Sequence, residues 1–157
     1  MLRYGVIMTN QLLIAETEER FGDAVMQAQL AALAVRVMLG IATSWKLTNA
    51  EGAGLFGITR YKWSNLKSGQ WTGVFNQDQL TRVALLLRIN DALHELFPDD
   101  QADRWPRQVT QDPILNGKSL VQAMVHGGIP FIIQTRNCLE TAVARLKKLD
   151  AAARASR

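Results

Sequence analysis

Residues 59–67 hold the side chains in this sequence best suited to chemistry with a ligand. Arg60, Lys62 and Lys67 are cations that can pair with phosphates, while Thr59, Tyr61, Ser64 and Asn65 offer hydrogen-bonding groups to base edges. Asn can bond adenine through two contacts at once. Trp63 and Leu66, three residues apart, fall on one helical face and leave the polar set on the other. A short helix that is apolar behind and polar in front is how a helix-turn-helix reads the major groove. Thr59, Arg60, Tyr61, Lys62, Ser64, Asn65 and Lys67 are therefore the expected DNA contacts.

Catalysis has no comparable footing. The only histidines, His94 and His126, lack an HExxH neighbour or a cysteine partner, and both read as structural. The single cysteine, Cys138, excludes an intramolecular disulfide framework and a cysteine-based zinc site. Set in mid-helix, it is expected to be a buried small apolar residue. Gly117, Lys118 and Ser119 resemble the end of a phosphate loop but lack its earlier glycine and preceding strand. Asp99 and Asp100 follow Pro98 in an expected loop and require only solvent. The sequence points to a binding protein with no catalytic residue, metal or cofactor.

Several elements must position the polar helix. Thr48 with Glu51 forms a capping box at the start of a first helix. Gly57 supplies the turn, Thr59 caps the second helix, and Leu55, Phe56 and Ile58 fill the elbow. The small Ala53 is expected to let the two helices cross closely. Gly52 and Gly54 count against the first helix, at about 1 kcal/mol each relative to alanine, so packing must offset them.

Before this pair, Asp23 can cap a helix running to about Gly40 or Ser44. Leu30, Ala34, Val37, Met38 and Ile41 line its core face. After it, Asn76 with Gln79 caps a helix reaching about Phe97. That helix is apolar over much of its circumference, which suits a spine joining the two halves or a dimer seam. Residues 98–119 read as irregular, with Trp105 anchoring the loop. Ser119 or Asn116 starts a short helix that Gly127 and Gly128 stop, and Pro130 fits the first turn of a final helix. Ile132, Leu139, Leu146 and Ala153 repeat every seven residues along it, with Val143 between. Past Leu146 it is too polar to bury and is a candidate for reaching a partner. The fold class is all-α, divided into an arm (residues 1–22), a helix-turn-helix domain (23–75) and a second helical domain (76–157).

The chain has 157 residues and a net charge of +4, compatible with nucleic acid but not demanding it. Residues 45–72 carry four bases against one acid, and residues 136–157 six against two. Residues 88–104 reverse this, with two arginines against five acids, which reads as a solvated face. No unbroken apolar run of about 18 residues occurs, so no membrane span is expected. The early acidic residues Glu16, Glu18 and Glu19 argue against a signal peptide, and the expected location is a reducing cytoplasm.

The order of these motifs resembles the Xre/MbcA/ParS-like antitoxin family. Residues 50–71 look like its Xre-type helix-turn-helix. The leucine-rich helix, Trp105 with Pro113, Gly117 with Lys118 and Ser119, the short helix, Gly127 with Gly128, and Arg136 with Leu139 resemble its toxin-binding domain. The family often has proline after the serine of that turn, where this chain has Leu120, and here the final helix is longer. The resemblance implies a non-catalytic type II antitoxin, a cytoplasmic homodimer. Its partners would be promoter DNA and a RES-domain toxin that consumes NAD or transfers ADP-ribose, neutralised by covering its active site. The implied toxin contacts are Trp105, Lys118, Ser119, Arg136, Arg145 and Lys148. The alternative is a stand-alone helix-turn-helix transcriptional regulator.

Overall fold

A computed structural model describes residues 24–156. The expected arm at residues 1–22, the cap at Asp23 and the terminal Arg157 lie outside the described residues. Among the described residues the chain is all-α, with six helices and one 3-10 turn and no strand. In chain order these are α1 (Ala24–Ser44), α2 (Asn49–Phe56), α3 (Arg60–Lys67), α4 (Gln77–Leu96), α5 (Asp99–Arg104), the 3-10 turn Trp105–Arg107, and α6 (Leu120–Ala155). A single hydrophobic core draws residues from α1 through α6 and runs across residues 75 and 76 without a gap.

The spine is α4. Asn76 and Gln79 form the expected capping box, each side chain accepting the other's backbone N–H. Leu80, Val83, Leu86, Ile89 and Leu93 are buried along its length, against α1 on one side and α6 on another. On α1, Leu30, Ala34, Met38 and Ile41 form the buried stripe. That helix hands over to Trp45, whose buried ring donates through Nε1 to Asn90 Oδ1 of α4 at 3.1 Å. Gln27, Gln29 and Arg36 interrupt the apolar sequence of α1. By length and average hydropathy residues 25–44 would nevertheless suffice to cross a membrane. In this fold one side of the helix lines the core.

The α2–α3 pair follows its local signals closely. Thr48 and Glu51 make the capping box, Gly57 sits at φ 66°, and Thr59 Oγ1 accepts from the Lys62 backbone N–H. Ala53 is buried, and close approaches fall at the glycines on either side of it. A Cβ on Gly52 would stand 2.4 Å from the Trp63 ring of α3, and one on Gly54 would stand 2.8 Å from Val125 of α6. The two glycines that weaken α2 as an isolated helix are what allow it to sit between two neighbours. Trp63 is buried and stacks on Phe56 with ring centroids 5.7 Å apart. Its Nε1 has no hydrogen-bond partner among the described residues, a cost accepted for the close fit.

Residues 98–119 are more ordered than expected. Pro98 precedes α5, whose first turn carries Asp99 and Asp100 and whose last turn carries Arg104, charges that suit the helix dipole. Six residues are too few to show a period in the sequence. Asp99 and Asp103 do not merely face solvent, since they hold both ring nitrogens of His94, at 2.9 and 3.0 Å. Trp105 stacks on Phe97, as the anchor it was expected to be. The stretch closes with an isolated bridge between Val109 and Ser119.

Ser119 caps α6 through a box with Gln122. Gly128, at φ 62° and ψ −157°, breaks that helix, and Pro130 falls in the first turn after the break. Beyond it α6 runs parallel to α4, tied by Arg88–Glu140 at 2.7 Å and Glu95–Lys147 at 2.8 Å. Cys138 lies on the exposed side of this segment, contrary to its expected burial. A lone cysteine carries no periodic signal that fixes its face.

These contacts predict opposite outcomes for two glycine-to-alanine changes. Gly52→Ala forces Trp63 to shift and lowers stability by about 1–3 kcal/mol, despite better helix propensity. Gly40→Ala, in α1 with open space around the new Cβ, raises stability by about 0.5–1 kcal/mol. Urea unfolding of the two variants beside the wild type checks both signs.

Candidate functional site

The polar face of α3 is presented as the spacing requires. Trp63 and Leu66 point into the core, while Thr59, Arg60, Tyr61, Lys62, Ser64 and Lys67 are exposed and Asn65 is half-buried. Tyr61 is 76% exposed, unusual for an aromatic side chain with no ring partner among the described residues. Two of the seven are partly engaged. The Thr59 hydroxyl caps its own helix, and Lys67 Nζ donates to Asn49 Oδ1 at the start of α2, 3.0 Å away. Arg60, Tyr61, Lys62 and Ser64 make no side-chain hydrogen bond among the described residues and remain available to a ligand.

The pair is fixed from behind by α4. Arg82 Nη1 donates to the Leu55 carbonyl at 3.3 Å, near the end of α2, and its Nε pairs with Asp78 at 2.9 Å. A second tie comes from the far half of the chain. Arg107 Nη1 donates to Glu51 Oε2 at 2.7 Å, joining the 3-10 turn to the first turn of α2. Burial pushes the Glu51 carboxyl up, but the Thr48 backbone N–H, the Arg107 guanidinium and the Thr48 hydroxyl together hold it below its ordinary value. Sequence reasoning missed Arg107. The two residues are 56 apart, and no local pattern announces the pair.

The six residues of the second expected surface differ in how far they are exposed. Ser119 is 5% exposed and its hydroxyl is engaged in the α6 cap, so it is a structural residue rather than a contact. Trp105 is half-buried on Phe97. Lys118 is half-buried just before α6. Arg136 is half-buried too, donating from Nε to Asn137 Oδ1 at 3.1 Å with Glu140 3.9 Å away. Only Arg145 and Lys148 are fully presented, and they lie about 26 and 30 Å along α6 from its break at Gly128, at 1.5 Å per residue.

What the structure does assemble there is the end of α6. Every residue from 144 to 156 is exposed. Leu146 and Leu149, 38% and 68% exposed, form a short apolar edge beside Arg145 and Lys148. The edge was legible as far as the polar character past Leu146, but Leu149 was not singled out. It sits outside the seven-residue repeat.

The two surfaces lie at opposite ends of α4. Gln79 Nε2 reaches the Gly57 carbonyl at 3.4 Å, while Glu95 reaches Lys147. The 16 residues between Gln79 and Glu95 span about 24 Å. His126 is exposed, and no group of three His, Cys, Asp or Glu side chains suited to a metal occurs among the described residues. The chain matches no family model, no curated protein and no solved structure.

Between the two ion pairs of the α4–α6 seam lies Asp91. Burial pushes its carboxyl up to about 6, with Glu95 adding to the rise and His94 and Arg88 opposing it. The folded protein therefore holds this proton more tightly than the unfolded chain does. Stability from this group is present below pH 4 and is lost as pH rises to about 6. Asp91→Asn is expected to be more stable than wild type at pH 7, by on the order of 1–3 kcal/mol, and to gain little at pH 4. Paired urea melts at the two pH values check the sign. An equal difference at both would show that Asp91 ionisation is not its cause.

Proposed function

We propose that the protein binds DNA through the outer face of α3 and a protein partner through the exposed end of α6. One observation carries this reading: two basic surfaces are presented at opposite ends of one rigid helix, leaving each accessible while the other is occupied. In it α2, the Gly57 turn and α3 act as a helix-turn-helix. Arg60 and Lys62 contact phosphates, and Tyr61, Ser64 and Asn65 face base edges. A homodimer would bring two copies of α3 to two half-sites.

The resemblance described above suggests the partner. The protein then acts in the cytoplasm as the antitoxin of a type II pair, covering the active site of a RES-domain toxin that consumes NAD or transfers ADP-ribose. It would also repress its own operon. A helix with Leu146 and Leu149 beside Arg145 and Lys148 suits a cleft with an apolar floor and an acidic edge. The internal engagement of Ser119 and the half-burial of Trp105 favour the second reading, a stand-alone regulator, because they remove or reduce two of the six implied contacts.

Two experiments separate these surfaces. Arg60→Ala with Lys62→Ala should weaken binding to DNA from upstream of the protein's own gene. It should also reduce the slope of log affinity against log salt by about 2, roughly one per lost phosphate contact. An unchanged slope removes α3 as the reader. Arg145→Glu with Lys148→Glu should leave DNA binding intact and abolish both co-purification with a neighbouring RES-domain product and rescue of growth from it. Full rescue by this variant removes the end of α6 as the blocking element. Wild-type protein that neither binds nor neutralises that product leaves the stand-alone regulator.

A further inference from the structure

The last part of α6 outruns the helix it packs on. Helix α4 ends at Leu96, and the last ion pair tying α6 to it is Glu95–Lys147 at 2.8 Å. From there α6 continues to Ala155 with every residue exposed. A helix shorter than about 12–15 residues is marginal in water by itself, so this overhang lacks the packing that stabilises the rest of α6. Its apolar residues are nevertheless ordered. Ala142, Leu146, Leu149 and Ala153 are spaced four, three and four residues apart, the period of a helix that packs along another helix. Leu149 lies two residues past Lys147, about 160° around the helix from it, and so faces away from α4.

Two opposite charges border this stripe. At about 100° per residue, Arg145 falls on its Leu149 side and Asp150 on its Leu146 side. Both are exposed, and neither forms an ion pair among the described residues. When two such helices run parallel, the charge on one side of the stripe meets the charge five residues further on in the neighbour, on its other side. Arg145 and Asp150 are five residues apart. Two parallel copies therefore set Arg145 of each against Asp150 of the other, twice by symmetry. Antiparallel copies bring like sides together, arginine towards arginine and aspartate towards aspartate. Lys148, about 160° from Leu146, lies on the outer side and does not meet its counterpart.

We propose that the end of α6 pairs in parallel with the same segment of a second copy, covering Leu146 and Leu149 between two Arg145–Asp150 ion pairs. This names the surface of the homodimer in the proposed function, and it rests on that homodimer alone, not on DNA or a toxin. The apolar edge is then covered in the free protein. A toxin cleft that takes Leu146 and Leu149 must displace the second copy first.

The test is sedimentation equilibrium of the full-length chain over a range of concentrations, without DNA or any other protein. The wild type should show a reversible monomer–dimer equilibrium. Leu149→Asp and Asp150→Arg alter exposed residues, so the monomer folds as before. Leu149→Asp should weaken the dimer by about tenfold or more, because it puts a charge into the seam. Asp150→Arg faces Arg145 with a like charge and should weaken it by about tenfold, and adding Arg145→Asp should restore it. On a Cys138→Ser background, Ala153→Cys should oxidise to a linked dimer, since the parallel pairing sets each position against itself. A dimer of unchanged strength in Leu149→Asp and Asp150→Arg overturns the proposal and leaves the homodimer to another surface. A wild type that is monomeric throughout overturns both. Weakening that the charge swap does not reverse, with no linked dimer, overturns the parallel pairing.

Discussion

The architecture turns on how closely α2 can be approached. It is an eight-residue helix with contacts to α3, α4 and α6, and it has no room for a side chain at two of its positions. Gly52 receives the flat of Trp63, and Gly54 receives Val125. The first contact fixes α3 in a single rotation, with Trp63 and Leu66 inward and the polar face outward. The second fastens the pair to α6 ahead of its break at Gly128. Interiors pack at crystal-like density, so such a contact tolerates neither an added methyl nor a displaced ring. The tight fit leaves the Trp63 N–H without a partner among the described residues, and dispersion over the ring must offset that loss.

Electrostatics adds orientation to this packing rather than bulk stability. The exposed pairs contribute little singly, as surface ion pairs do. Their positions matter more. Arg107 to Glu51 joins the two halves across 56 residues, and Arg88–Glu140 with Glu95–Lys147 hold α6 parallel to α4. The acidic middle of the sequence is consumed internally in this way, on His94, Arg104 and Lys147. The bases of α3 and of the last turns of α6 are largely left facing outward. The separation of charge along the chain becomes a separation in space.

Much of this was legible because it is local. The caps at Thr48, Thr59, Asn76 and Ser119, the turn at Gly57 and the break near Gly128 each follow from a few adjacent residues. The stripes of α1 and α4 follow from helical periodicity, and so does the inward side of α3. What escaped was non-local or too short. The glycines of α2 looked unfavourable until their neighbours, 11 and 71 residues on, were known. Helix α5 is too brief to show a period. Ser119 was legible as a cap, but not the burial that leaves its hydroxyl engaged there rather than free for a contact.

The central claim is that two separate binding surfaces sit at opposite ends of α4. Hydrogen–deuterium exchange on the full-length protein tests it most directly, read peptide by peptide with and without DNA from upstream of its own gene. The account predicts slowed exchange confined to residues 57–68, with residues 144–156 exchanging as they do in the protein alone. Slowed exchange at residues 144–156, or none in α3 at a DNA concentration that saturates binding, would contradict it.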